Sequence, residues 1–216
     1  MKIKPVFIVL FFGISTISGK SQREGIVLSH YLFPEFTQGK IRLKSGIIKE
    51  SNLNYNSITE EMIFESNGKK LAFANPETID TIFIQDRAFI PVGKAFYEVI
   101  VKLPVPLFIR HICTITPPGK PSGYGGTSET GSITSTSSIY TSGGVYEMKL
   151  PDDYKVNPSF EFILKKNNSY IRISNINQVI KCFPEKKDAI KEFAKTNNIS
   201  FKKSEDVISL VIFCNK

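Results

Sequence analysis

The chain has no tryptophan, only three cysteines and only two histidines among its 216 residues. Cys113, Cys182 and Cys214 form no C-x-x-C and no zinc-type spacing, which leaves no structural metal motif to read. The two histidines, His30 and His111, come with no partner pattern that would mark either as a catalytic base. No metal or cofactor is expected. The lysines are scattered among acids and asparagines, and the basic stripe of a nucleic-acid protein is missing. No nucleic-acid partner is therefore expected. Nor is there an apolar run of the roughly 20 residues that a membrane-spanning helix needs.

The one long uncharged stretch lies at the start. Lys2 and Lys4 precede residues 6–17, which are rich in Phe, Ile, Val and Leu; Ser18, Gly19, Lys20 and Ser21 follow. A basic start, a short apolar centre and a small-residue exit make a secretory signal peptide. Gly19 and Ser21 suit the −3 and −1 positions of a signal peptidase. Cleavage is expected after Ser21, leaving Gln22 as the new N-terminus. Twelve residues are too few for a permanent span, and no cysteine precedes Cys113 to carry a lipid. Formal charge is +8 over the whole chain; removing Lys2, Lys4 and Lys20 leaves 25 basic against 20 acidic residues, or +5.

Seventeen Phe and eight Tyr supply material for a real core. From residue 38 to about 116 the chain reads as short strands broken by turns. Ile41 and Leu43 alternate with Lys40, Arg42 and Lys44, a half-buried strand. Ser45-Gly46 turns into a second strand at residues 47–55. Asn67-Gly68 between residues 61–65 and 69–74 is a strong hairpin signal, since both tolerate positive φ. Residues 81–85, 88–92, 95–103 and 107–115 read as further strands. Pro91, Pro104 and Pro106 belong at strand ends or edges. Seven or eight such strands suggest an antiparallel sandwich, roll or open barrel.

Residues 117–144 differ: 22 of these 28 are Gly, Ser, Thr or Pro, the composition of a loop or linker. Beyond them, residues 145–150 and 160–173 read as strands, with a turn at Asn167-Asn168. Asn175 can cap a helix running to Cys182, with Gln178 completing a capping box. Pro184 opens a second helix carrying Ile190, Phe193 and Ala194, which Asn197-Asn198 can end. Ser204 can cap a third, with Val207, Ile208, Leu210 and Val211 on its apolar side. The fold class expected is α+β: an N-terminal antiparallel β domain, then a strand pair with a three-helix unit. The expected divisions are 1–21 signal peptide, 22–116 β-rich domain, 117–144 loop or linker, and 145–216 small α+β unit.

Chemistry is thin. His111 alternates with Ile109 and Cys113 in an apolar run and reads as a structural histidine, not as the base of a Cys113 nucleophile, which would need an orienting third group. His30 falls near the processed terminus. Residues 126–131 miss the G-x-S-x-G elbow by one residue and lie in the low-complexity stretch. Asp152 and Asp153 are adjacent carboxylates beside Pro151 and read as a turn. Phe160, Phe162 and Tyr170 could offer a sugar-stacking face, although Phe160 and Phe162 read more simply as core. No catalytic residue is assigned. Cys182 and Cys214 close the first and third helices; in an up-down-up order those ends meet, which allows a disulfide and leaves Cys113 a buried free thiol. The alternative use of all three is as small apolar core residues.

The runs Phe33-Pro34-Glu35-Phe36, Leu53-Asn54-Tyr55-Asn56 and Glu61-Met62-Ile63-Phe64, with Phe183-Pro184-Glu185-Lys186 before the closing helices, resemble a family of exported proteins from Bacteroidota. The resemblance implies export and an envelope setting. It brings no enzymatic activity and no catalytic residue. The expected function is that of a non-enzymatic envelope protein, structural or binding, with an envelope protein or polysaccharide as partner. A hydrolase of envelope polymers and a carbohydrate- or peptide-binding module using an open sheet edge are the alternatives.

Overall fold

A computed structural model describes residues 30–116, 120–121, 127–128 and 155–216. The signal segment with Ser21 and Gln22, the strand expected at 145–150 and the Asp152-Asp153 turn lie outside the described residues.

Among the described residues ten strands form one antiparallel sheet. In chain order they are β1 (Thr37–Leu43), β2 (Ile48–Asn56), β3 (Glu61–Ser66), β4 (Lys69–Ala72), β5 (Ile79–Ile84), β6 (Arg87–Val92), β7 (Ala95–Val101), β8 (Leu107–Thr116), β11 (Lys155–Lys166) and β12 (Ser169–Ile173). Two short strands, β9 (Lys120–Pro121) and β10 (Thr127–Ser128), pair with each other inside the Gly/Ser-rich stretch. The spatial order is β12-β11-β8-β7-β6-β5-β1-β2-β3-β4. The C-terminal strand pair thus extends the N-terminal sheet: β11 runs along β8 from Lys155↔Thr116 to Leu164↔Leu107.

The turns follow the sequence chemistry. Asn67 (φ 50°) with Gly68 (φ 71°), and Asn167 (φ 51°) with Asn168 (φ 62°), make the two-residue hairpins expected of such pairs. Pro91 lies past the last β5–β6 pair, where no donor is asked of it. Gly39 serves a close approach: a Cβ there would lie 2.5 Å from the Phe83 carbonyl oxygen and 2.8 Å from Leu53 Cδ1.

Three helices follow β12: α1 (Ile176–Cys182), α2 (Lys187–Thr196) and α3 (Ser204–Cys214). Asn175 caps α1 by accepting from the Gln178 amide at 3.1 Å. Gln178 completes the box one residue early, its Oε1 accepting from the Ser174 amide. Ser204 does not cap α3. It is the first helical residue, and Lys203 holds the cap position without a side-chain bond. Asp206 instead turns back to accept from the Ser200 amide at 2.9 Å. Asn215 pins the end of α3 to the β7–β8 loop, bonding both the amide and the carbonyl of Val105.

Two apolar cores result. In one, Leu107, Ile109, Phe162, Leu164 and Ile173 of β8, β11 and β12 meet Val179, Cys182, Ile190, Val207, Leu210, Val211 and Cys214 of the helices. In the other, the sheet rolls so that β3 lies against β7, enclosing Ile41, Leu53, Tyr55, Met62, Ile82, Ile84, Phe89 and Phe96. A strap of residues 30–36 closes that roll. Leu32 donates to the Tyr55 carbonyl, Ser57 donates to the His30 carbonyl, and Phe33 packs edge-on to Phe89. His30 is consequently buried rather than frayed; burial and nearby Lys70 lower its pKa.

Candidate functional site

Between the two cores runs a seam of charge. Glu98↔Ile109 is a β7–β8 pair and Phe89↔Glu98 a β6–β7 pair. Side chains alternate along strands, so Arg87, Glu98 and His111 share the face that carries both cores. Arg87 Nε donates to Glu98 Oε1 at 2.7 Å, and its Nη2 donates to Oε2 at 2.6 Å. His111 Nε2 lies 2.7 Å from the same Oε2 and 2.9 Å from Arg87 Nη2. A carboxylate only accepts, so the contact with Glu98 is a hydrogen bond in the tautomer that has its N–H at Nε2. Burial pushes the Glu98 carboxyl up, but the bonds from His111 and Arg87 outweigh it and hold the group at about 2. The Arg87 guanidinium also covers the Phe33 and Phe89 rings. Tyr55 stacks on Phe89 and donates its hydroxyl to the His111 carbonyl at 2.9 Å; burial raises its pKa.

A second chain of charge lies on the opposite face. Glu60, at φ 60° in the β2–β3 turn, accepts both Nε and Nη2 of Arg110 at 2.6 Å. Glu161 on β11 is shared by Arg110 Nη1 at 3.3 Å and Arg172 Nε at 3.1 Å. The Glu60 carbonyl also accepts from the Phe96 amide, which ties the turn to the start of β7. These carboxylates are saturated by guanidinium donors. The arrangement braces strands, and a proton-transfer base would first have to break its ion pair.

Beside the seam lies a groove of about 490 Å³, where β12 parts from β11. The last β11–β12 pair is Phe162↔Ile173, while β11 continues back to Lys155. Phe160, Phe162, Ile173, Ile176 and Phe201 give the groove an apolar lining, and Arg172, Lys202, Ser174 and Asn175 give it polar groups. Phe160 sits directly across from His111 on β8.

The sequence reading of Phe160 and Phe162 as core holds only for Phe162, which is 3% exposed. Phe160 is 41% exposed, because β12 has already parted from β11 at Phe162↔Ile173 and no strand pairs beside Phe160 on that edge among the described residues. The two rings are tilted by 76°, and Tyr170 stands apart from them against Tyr97 and Phe108. His111 and Cys113 share a face but not a task. The Cys113 thiol bonds the Thr114 carbonyl, and its pKa is raised by burial. Cys113 is half-buried rather than buried. Cys182 and Cys214 share the helix-covered core as free thiols. Among the described residues no cluster of three His, Cys, Asp or Glu could hold a metal ion. Arg87, Glu98, Glu60 and Glu161 were not legible as a site. Glu98 as the sole charge within residues 95–101, and Arg110 within 107–115, were the available signals. No family model, no curated protein and no solved structure matches this chain.

Proposed function

We propose that this is an exported, non-enzymatic envelope protein that binds a partner at the groove beside β11. What supports the reading is the contrast in how charge is used. Glu98 and Glu161 are consumed by ion pairs that brace the sheet, Glu161 with both Arg110 and Arg172, while the Lys202 amine stands without a partner among the described residues at an open, aromatic-lined groove. A few polar groups around an apolar lining is the usual composition of a binding site. The leader ending at Ser21 supports export, as does the resemblance to exported Bacteroidota proteins. In the described residues no helix is long and apolar enough to cross a membrane.

The test uses residues 22–216 incubated with purified envelope polysaccharide and envelope peptides. Binding by co-sedimentation or anisotropy, with no new reducing ends and no new peptide fragments, is the expected result. Turnover that disappears in Glu98→Gln or Glu161→Gln would overturn the reading and favour a hydrolase. Export is tested separately by mass spectrometry of the host envelope fraction, which should find Gln22 at the N-terminus; an intact Met1 there would defeat it.

A further inference from the structure

Strand β11 offers a half-used edge. Its hairpin with β12 has a two-residue turn, which makes Lys166↔Ser169 a hydrogen-bonded pair. Backbone groups of alternate residues then point to alternate sides. The even-numbered residues of β11 face β12, and the odd-numbered ones face β8; the Asn157 carbonyl accepting from Thr114 of β8 agrees with this. After Phe162↔Ile173, β12 turns away into α1. Phe160 and Val156 are thus left with amide and carbonyl directed at an edge that no strand occupies among the described residues. Pro158 presents its carbonyl only. A proline within the strand fits one-sided pairing.

We propose that this edge takes an extended acidic peptide as an added strand, with an apolar side chain of the peptide seated on Phe160 in the groove. The inference rests on the binding reading given above and names its ligand class. Three observations converge on it. The free backbone groups repeat at strand spacing, which a peptide matches and a sugar chain does not. The aromatic lining is bent, with Phe160 and Phe162 tilted by 76°, and provides no flat platform for stacked sugar rings. The groove also carries surplus positive charge: Glu161 is already shared by two guanidiniums, while the Lys202 amine and the terminal nitrogens of Arg172 have no partner among the described residues.

The probes are a fluorescein-labelled hexapeptide alternating valine with glutamate, its valine–lysine counterpart, and two glutamate versions N-methylated on one or the other alternate set of amides. The glutamate peptide should bind about tenfold tighter than the lysine peptide at low salt, and Lys202→Glu should narrow that ratio. One methylated version should lose about tenfold and the other little, because only one edge of the peptide faces β11. Phe160→Ala should weaken binding severalfold by removing the seat. Phe160→Pro, which also deletes the amide on the free edge and leaves the β8 ladder untouched, should weaken it about tenfold further. If Phe160→Pro fails to fold, the methylated pair decides. Equal affinities for the two methylated versions, or a free protein that dimerises through this edge, would overturn the proposal. Binding of polysaccharide without peptide would overturn it and leave the binding reading standing, whereas cleavage of the peptide would remove that reading.

Discussion

The two ends of the sheet bury their shared face in different ways. The β8-β11-β12 end is covered by α1 to α3, and its core is apolar save for the thiols of Cys182 and Cys214. The β1 to β7 end is covered by itself, and among the described residues the buried polar ones, Asn54, Asn56, Ser57, Thr81, Glu98 and His30, all belong to it. The cause is the backbone. A helix satisfies its own amides and carbonyls and brings only side chains to the contact. A sheet that rolls onto itself brings turns and a strap inside, and their backbone groups need partners. Asn54 supplies them for the strap, accepting from the Phe33 amide and donating to the Phe33 and Glu35 carbonyls. Asn56 does so for the β2–β3 turn, accepting from Ile58 and Thr59. The charged seam sits where the two solutions meet.

The strongest way to break this comparison is to empty the rolled core. Phe89 is fully buried, carries Tyr55 and Phe33 on its ring, and lies under the Arg87 guanidinium. Phe89→Ala should cost about 3–5 kcal/mol. Urea unfolding would measure it, and hydrogen exchange should show the strap and β2 opening before the helices. A loss shared evenly by both ends would mean that the two cores behave as one.

A covalent link would sharpen the comparison from the other side. Cys182 and Cys214 end α1 and α3, and Lys186, just past α1, donates to the Cys214 carbonyl at 2.9 Å. Burial pushes the Cys214 thiol up to about 11, so it resists attack while the core stays shut. If the proposed export delivers the chain to an oxidising envelope, a disulfide-bearing exchange catalyst there takes two electrons from the pair during folding and leaves a disulfide. Closing the loop between residues 182 and 214 is worth about 3–4 kcal/mol in the chain-entropy account. Unreduced protein from the host envelope should then show one reactive thiol after denaturation, and reduction should destabilise the helical end alone. Three thiols would show that both cysteines serve as core residues only.

Acid tests the seam. Glu98 is held at about 2, below its ordinary 4.5, so its contribution is present above about 4.5 and is lost as pH falls through 2. That depression corresponds to about 3 kcal/mol. Stability measured from pH 6 to pH 2.5 should fall, and Glu98→Gln should flatten the fall by most of that amount. Asp80, lowered by its bond from Arg42, adds a small exposed contribution that Asp80→Asn can separate. An unchanged pH slope in Glu98→Gln would place the acid-sensitive group elsewhere.

How far the sequence could be read follows from the same division. Local signals were reliable: Asn67-Gly68, Asn167-Asn168 and Asn175 each act within a few residues of themselves, and each does what its side chain and φ preference imply. Ser204 misled because a serine before an apolar run suits both the cap and the first helical position, and only the path of the chain from Ser200 decides between them. The charged seam was out of reach. Glu98 meets Arg87 and His111 through the register of two strand pairs, and Arg110 meets Glu60 across 50 residues by way of the roll. Phe160 and Phe162 obey the same alternation, and only the point where β12 departs makes one exposed and the other core.

The smallest expected effect lies at the start of α1, and it asks whether the helical end depends on backbone partners at all. A seven-residue helix has little internal bonding to spare, so its cap carries a large share of its order. Asn175 Oδ1 takes the Gln178 amide, and Gln178 Oε1 returns a bond to the Ser174 amide and hydroxyl. Asn175→Ala should cost about 1 kcal/mol, and Asn175→Asp, which keeps the acceptor, should cost less. The urea midpoint would fall while the slope stays fixed. Because Cys182 closes this helix, fraying in Asn175→Ala should also speed modification of any Cys182 thiol that remains free. The amides of β2 and β3 should exchange as before, since the strap and Asn54 hold them without help from α1. If those amides accelerate together with Cys182, the helices and the roll open as one unit and the contrast between the two ends is one of composition rather than of stability.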